Sequence, residues 1–313
     1  MGFLGIGAPD VDWSVALADG RIDAQPGGRV SATVSLRPRG PLDARRIMAS
    51  FSGTEEYAYE RETRDSEGRS TSREWSTNEL WKQEVQLSGP ARIGARETRA
   101  LEVGFDVPPD AAPSFESGVL RVRWRLAAWV DVGGRDPRVE QLLVVPVQQA
   151  ALAGLDPFAF QEQVPVIAAG AQAAIWVQPA PLRAAAPFSG VVDSAVPLDP
   201  GRTAVEIKLT VATLVGSAEG AGASVGGYLL GKVGLPNSAD SGVSETVVVS
   251  RSGIAEVAPP PGWRRYAFGG QIPPGVVTAV FPHAAATATV DVVVSRAMRR
   301  DDHIVRPVAI VIG

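Results

Sequence analysis

Leu120-Arg-Val-Arg-Trp-Arg-Leu-Ala-Ala-Trp-Val130 decides the fold class, because its apolar residues return at every second position. Leu120, Val122, Trp124, Leu126, Ala128 and Val130 fall on one face of an extended chain, and Arg121, Arg123 and Arg125 on the other. Successive side chains of a strand point to opposite faces, so the run reads as a β-strand with one dry side and one wet side. The same period recurs upstream in Val30, Ala32, Val34 and Leu36, and in Leu101, Val103, Phe105 and Val107. It returns downstream in Val205, Ile207, Leu209 and Val211. No segment shows a comparable helical period, and the 33 Gly and 25 Pro are spread as turns between short strands require. The expected class is all-β, with antiparallel sheets packed face to face as immunoglobulin-like sandwiches.

The chain holds two such patterns in series. At an offset of 162 or 163, Trp13 corresponds to Trp176, Gly28 to Gly190, Pro38 to Pro200 and Gly53 to Gly216. Phe105 and Phe268, Pro108-Pro109 and Pro273-Pro274, Asp136 and Asp301, and Pro146 and Pro307 continue the series in order. Collinearity over the whole length indicates internal duplication, and 313 residues suit two domains of ~150. The expected domains are residues 1–147 and 171–313, joined by a linker over 148–170 with at most one helical turn. Residues 54–84, with 14 charged side chains and net charge −4, read as a long solvated hairpin. Tyr57, Tyr59, Trp75 and Trp81 give that hairpin something to pack. The counterpart over 217–246 is rich in Gly, Ser and Ala and reads as a mobile loop.

Composition removes several function classes. Net charge is −4, with 19 Lys+Arg against 22 Asp+Glu in residues 1–147 and 11 against 12 in 148–313. Neither half offers the basic surface that nucleic acid or an anionic membrane attracts. The absence of Cys excludes disulfides, thiolate metal sites and a cysteine nucleophile. The opening Met1-Gly-Phe-Leu-Gly-Ile-Gly-Ala-Pro lacks the charged region of a signal peptide. Ile6 stands where a myristoylation signal needs Ser or Thr, and no run reaches the ~20 apolar residues of a membrane span. The expected location is the cytoplasm.

Four constellations could carry chemistry. Gly222-Ala-Ser224-Val-Gly226 fits the G-x-S-x-G elbow, with Asp240 and His283 following in hydrolase order. That elbow needs a strand–turn–helix context in a parallel sheet, which the alternation does not supply, so a serine hydrolase using Ser224 is only an alternative. Gly226 to Lys232 fits the start of a P-loop, but Val233 replaces the Mg²⁺-binding hydroxyl and Gly234-Leu-Pro236 stops any helix. Asp301-Asp302-His303 offers too few ligands to close a metal site and reads as the turn before the last strand. Arg121, Arg123 and Arg125 make a ~14 Å row of guanidiniums suited to carboxylates or phosphates. The competing reading pairs them with Glu and Asp of neighbouring strands. These arginines are the candidate partner-binding residues; no catalytic residue, metal ligand or cofactor is expected.

The order of motifs resembles the arrestin-like superfamily. Gln25-Pro-Gly-Gly-Arg-Val-Ser-Ala-Thr-Val-Ser-Leu leads to Ile47-Met-Ala-Ser-Phe-Ser-Gly53. Leu101 to Pro109, Val119 to Val132 and Val139 to Val147 then follow a variable hairpin. Gly5-Ile-Gly-Ala-Pro-Asp-Val-Asp is similar to the opening of the bacterial sporulation-control branch of that superfamily. The second domain and its Ala-rich linker depart from the pattern. The resemblance implies a bacterial, non-enzymatic adaptor or regulator working through protein–protein contacts, with no catalytic residues to carry over. The alternative non-enzymatic expectation is a structural subunit that uses its sheet edges to build a homo-oligomer.

Overall fold

A computed structural model describes residues 9–65, 68–146, 166–168, 171–214, 240–259, 261–295 and 300–311. Among these residues there is no helix; every regular element is a strand. The chain groups into one unit of Met1–Glu56, Thr77–Glu116 and Arg121–Pro146, and a second of Tyr57–Ser76, Ser117–Leu120 and Val147–Gly313. The distal part of the long hairpin therefore belongs with the second unit.

In chain order the first half gives β1 (Val11–Leu17), β2 (Arg29–Pro38), β3 (Leu42–Ala44), β4 (Arg46–Asp65) and β5 (Gly68–Ser88). It continues with β6 (Ala91–Ile93), β7 (Arg99–Asp106), β8 (Phe115–Glu116), β9 (Leu120–Asp131) and β10 (Arg138–Leu143). The second half gives β11 (Val166–Ala168), β12 (Ala171–Gln178), β13 (Leu182–Arg183), β14 (Pro187–Ser194), β15 (Thr203–Thr213) and β16 (Asp240–Gly242). Then come β17 (Ser244–Gly253), β18 (Ala255–Val257), β19 (Arg264–Gln271), β20 (Ala279–Phe281), β21 (Ala284–Val294), β22 (Asp302–Val308) and β23 (Ile310–Val311).

In the first unit, β1-β2-β7 form one antiparallel sheet, and β10-β9-β4 the other, with β5 on β4 and β8 on β9. In the second, β12-β14-β19 repeat the first sheet, and β22, β21, β15 and β17 repeat the second, with β20 placed as β8 is. Even the parallel bridge of Asp23 to Val144 recurs as the parallel pair β13–β23. The second unit adds β11 beside β12 and β18 beside β19. Both units are thus antiparallel sandwiches of the same strand order.

The units share strand order but not residue positions. Trp13 pairs with Leu36 and turns inward against a cluster around Leu36, Ile47 and Val130. Trp176, on the equivalent strand, pairs with Val191 and is 49% exposed. A one-residue change of register turns a side chain to the other face, so the shared tryptophans mark the strand and not the position. Gly28 likewise precedes β2, whereas Gly190 lies within β14. There an added Cβ would stand 2.3 Å from the Phe268 ring.

The dry face of β9 becomes the first core as the alternation requires. Trp124 is 1% exposed, stacks on Phe51 with centroids 5.3 Å apart, and donates its indole N–H to the Ala112 carbonyl at 2.8 Å. Gly53 on β4 is needed beneath it, since an added Cβ would sit 2.7 Å from the indole ring. In the second core Tyr266 is buried among Phe188, Val192, Ile207 and Val290, and its hydroxyl accepts the Leu198 N–H at 2.8 Å.

Two expectations about connections change. Within the expected linker, Val166–Ala168 is a strand paired to β12; the rest of 148–170 lies outside the described residues. At the end of the expected loop over 217–246, Asp240–Gly242 pairs with Tyr59–Arg61 and β17 has begun; residues 217–239 lie outside the described residues. Gly/Ser/Ala-rich composition masked strands whose ladder bonds come from the backbone and not from their side chains.

Candidate interaction surfaces

The arginine row lies on the outer face of β9, opposite Trp124. Arg123 Nη2 reaches Glu116 Oε1 at 3.0 Å and its Nη1 lies 3.9 Å from Glu56 Oε2. Arg121 stands 3.8 Å from Glu56 and 3.9 Å from Glu116. Glu116 belongs to β8 and Glu56 to β4, the two strands flanking β9. Two guanidiniums and two carboxylates thus alternate across three strands. Arg125 faces Leu142 of β10 in register, and among the described residues it makes no ion pair. Leu142 is 55% exposed, so the row ends at an apolar rim.

The second unit carries a denser network that the sequence reading missed. On the outer face of β15 and β21, Glu206 and Asp291 sit directly opposite each other and are both buried. Lys208 Nζ bridges them, 3.2 Å from Glu206 and 2.5 Å from Asp291. His303 Nδ1 lies 2.9 Å from Asp291, and Arg251 Nε 3.5 Å from Glu206. Burial lowers the Lys208 pKa, but its bonds to Asp291 and Glu206 outweigh this, and the net shift is upward from the ordinary 10.5. One partly buried cation thus answers two buried carboxylates at once. The alternation showed Glu206 and Lys208 on a wet face; nothing in it brought Asp291 and His303 to them from strands 83 residues and more away in sequence.

The chemical constellations fare as follows. Ser224 and the P-loop-like Gly226–Lys232 lie outside the described residues. His283 occupies the turn between β20 and β21, where its ring stacks on Tyr57 at 4.6 Å and 6°. Asp302 and His303 do not form a turn: they open β22, paired with Val294 and Val293. There the His303 ring is bound to Asp291, an attachment the local sequence could not reveal. Among the described residues no group of three or more His, Asp or Glu could hold a metal ion. No helix among them is long and apolar enough to cross a membrane.

The remaining features are edges. Strand β17 ends its sheet with Val247 and Val248, which are 48% and 46% exposed. A bulge at Val249 separates the Ile207–Ser250 and Lys208–Val248 pairs. Thr213 N–H donates to Val243, which fixes the ladder's phase: Glu245 and Val247 bond to β15, while Thr246 and Val248 turn their main-chain groups outward. Strand β1 ends the first unit's smaller sheet.

No family model matches the chain, and no curated protein matches it. Among solved structures it is similar to Spo0M, a sporulation control protein from Bacillus subtilis, at 16% identity. The match covers 60% of this chain and 67% of that one with a TM-score of 0.35. At so low a score the sandwich architecture rests on this chain's own strand pairing.

Proposed function

We propose that the chain is a non-enzymatic, arrestin-like adaptor or regulatory protein of the bacterial cytoplasm that holds protein partners by main-chain pairing at its sandwich edges. The observation that carries this reading is the β17 edge, unpaired among the described residues, where outward main-chain groups stand beside the exposed Val247 and Val248. An unpaired edge accepts an extended segment through hydrogen bonds that need no particular side chain. The resemblance at Gly5-Ile-Gly-Ala supports a role in sporulation or another cell-stage control; the domain division at 147 and 171 belongs to the same reading.

Val248→Pro removes an outward donor without touching the ladder to β15. Partners that co-purify with the parent chain should be lost from this variant while its circular dichroism is unchanged. Retention of every partner would refute pairing at β17. Light scattering at micromolar concentration should give a monomer or dimer; a large closed assembly would favour a structural subunit instead. A second reading takes Arg121, Arg123 and Arg125 as a contact for an acidic or phosphorylated partner, favoured by Arg125 lacking an ion pair among the described residues.

A further inference from the structure

Trp176 stands in water where Trp13, on the equivalent strand, packs against the first unit's core. It projects from the outer face of β12, opposite the buried Ala173 and Ile175. An indole carries one of the largest apolar surfaces of any side chain, so leaving it exposed forgoes stability. The ring is nonetheless held in place. The Arg306 guanidinium lies over it, 5.8 Å from the centroid, and donates to the Ile175 carbonyl. Among the described residues the indole N–H has no hydrogen-bond partner.

The ring adjoins a hollow. Gln178, the next residue of β12 on the same face, pairs with Ser189 of β14, and the two line a depression of about 540 Å³ with Pro179, Pro187 and Phe188. Same-face neighbours on a strand are ~7 Å apart, so Trp176 stands at the flank of this hollow. The volume is that of a small-molecule site. Like the indole N–H, the side chains of Gln178 and Ser189 have no hydrogen-bond partner among the described residues. None of the five lining residues is ionisable. Further along the face, at the level of Ala174, Asp193 and Arg265 close on each other through bonds of 2.7 and 2.8 Å. The charges of this face are therefore answered within it, and a complementary ligand is uncharged.

We propose that the hollow beside Trp176 binds a neutral saccharide, with one sugar ring against the indole and its hydroxyls on Gln178, Ser189 and the indole N–H. A purely apolar ligand would cover those three groups and leave them without partners. A peptide strand finds no ladder here, because β14 is already paired on both sides, to β12 and β19. A saccharide satisfies both demands. Its C–H face packs on the indole and the two prolines, while each hydroxyl both donates and accepts and so answers an amide, a hydroxyl and an N–H alike. The site lies on a sheet face and goes beyond the edge-pairing reading, on which it does not depend.

The test titrates the full chain with maltotriose, cellotriose and N-acetylated chitotriose, with binding read by calorimetry and by saturation-transfer NMR. At least one should bind saturably, with an affinity that salt leaves unchanged. Trp176→Ala should weaken it roughly tenfold or more, and Gln178→Ala and Ser189→Ala each about fivefold, the equivalent of one neutral hydrogen bond. Trp81→Ala, which removes an exposed tryptophan of the first unit, and Val248→Pro should both leave it unchanged. Should circular dichroism show that Trp176→Ala disturbs the fold, the double variant of Gln178→Ala and Ser189→Ala decides, since both side chains are exposed. Failure of all three saccharides to bind overturns the proposal, as does binding that survives Trp176→Ala or the double variant. Affinity that falls with salt overturns the neutral ligand. Binding of a decaproline peptide and of no saccharide, lost in Trp176→Ala, assigns the hollow to a protein segment and overturns the saccharide. None of these results bears on Val248→Pro and the partners it should lose, so the two readings fail separately.

Discussion

Replacing Trp124 by alanine tests the core and the glycine beneath it together. The indole is 1% exposed, stacked on Phe51, and anchored by its N–H to Ala112. Truncation removes a large apolar surface and leaves a cavity bounded by sheets that cannot collapse, at a cost of about 3–5 kcal/mol. Arg123→Ala, one residue along on the wet face, loses only part-exposed ion pairs and should cost about 0.5 kcal/mol or less. Gly53→Ala supplies the second arm. The three atoms nearest its added Cβ all belong to Trp124, at 2.7–2.8 Å, so in the parent chain the methyl overpacks the core at about 1–3 kcal/mol. In the Trp124→Ala background that obstacle is gone and the methyl enters the cavity. The double variant should then be no less stable than Trp124→Ala alone, a coupling of about 1–3 kcal/mol. Chemical denaturation followed by circular dichroism measures this, with midpoints compared because two units need not unfold in one step. Additive effects of Gly53→Ala and Trp124→Ala would refute the packing argument. Arg123→Ala costing more than Trp124→Ala would mean the strand is inside out.

Three further outcomes follow from the same geometry. Gly190→Ala should destabilise more than Gly53→Ala, by about 2–3 kcal/mol, because its Cβ meets the Trp176 carbonyl at 2.4 Å as well as Phe268; thermal melting ranks the two. Lys208→Met leaves Glu206 and Asp291 facing each other with their bridging cation removed and should cost about 2–4 kcal/mol at neutral pH. Since the folded Lys208 pKa is raised, the parent's stabilisation is fully present below the ordinary lysine pKa and is lost as pH rises through the folded value; a pH series should show that alkaline loss in the parent and not in Lys208→Met. If the arginine row binds an acidic peptide, affinity should fall about tenfold from low to high salt and the dependence should vanish when Arg121, Arg123 and Arg125 are all Gln, whereas salt-independent binding would refute that contact.

Strand class and strand faces were legible because burial in an antiparallel sandwich is local. Val122, Trp124 and Leu126 are dry and Arg121, Arg123 and Arg125 wet for one reason, the period of two. Partners across the sheet were not legible, because alternation says which face a side chain takes and nothing about its neighbours. Glu116 and Glu56 reach Arg123 from seven and 67 residues away. His303 looked like part of a turn and is held in a strand by Asp291, twelve residues earlier across the ladder. Trp13 and Trp176 show the same limit, since they keep their spacing in sequence and take opposite faces of equivalent strands.

Edges lie one step further from the sequence than faces, because an edge is defined by the absence of a neighbour. Val11, Trp13, Val15 and Leu17 alternate as cleanly as Ala173, Ile175 and Val177 do, and no local feature separates a flanked strand from an open one. What separates them is β11, supplied in the second unit by residues whose composition suggested a linker. The shared strand order turns that contrast into an internal control. Among the described residues, two strands with the same place in the same strand order differ in one flanking strand, and Ala173, which β11 pairs, is buried where Val11, Trp13, Val15 and Leu17 are half-buried. The charged face of β9 is already answered by Glu56 and Glu116, which makes it a weaker candidate for a partner than main-chain groups at a sheet edge.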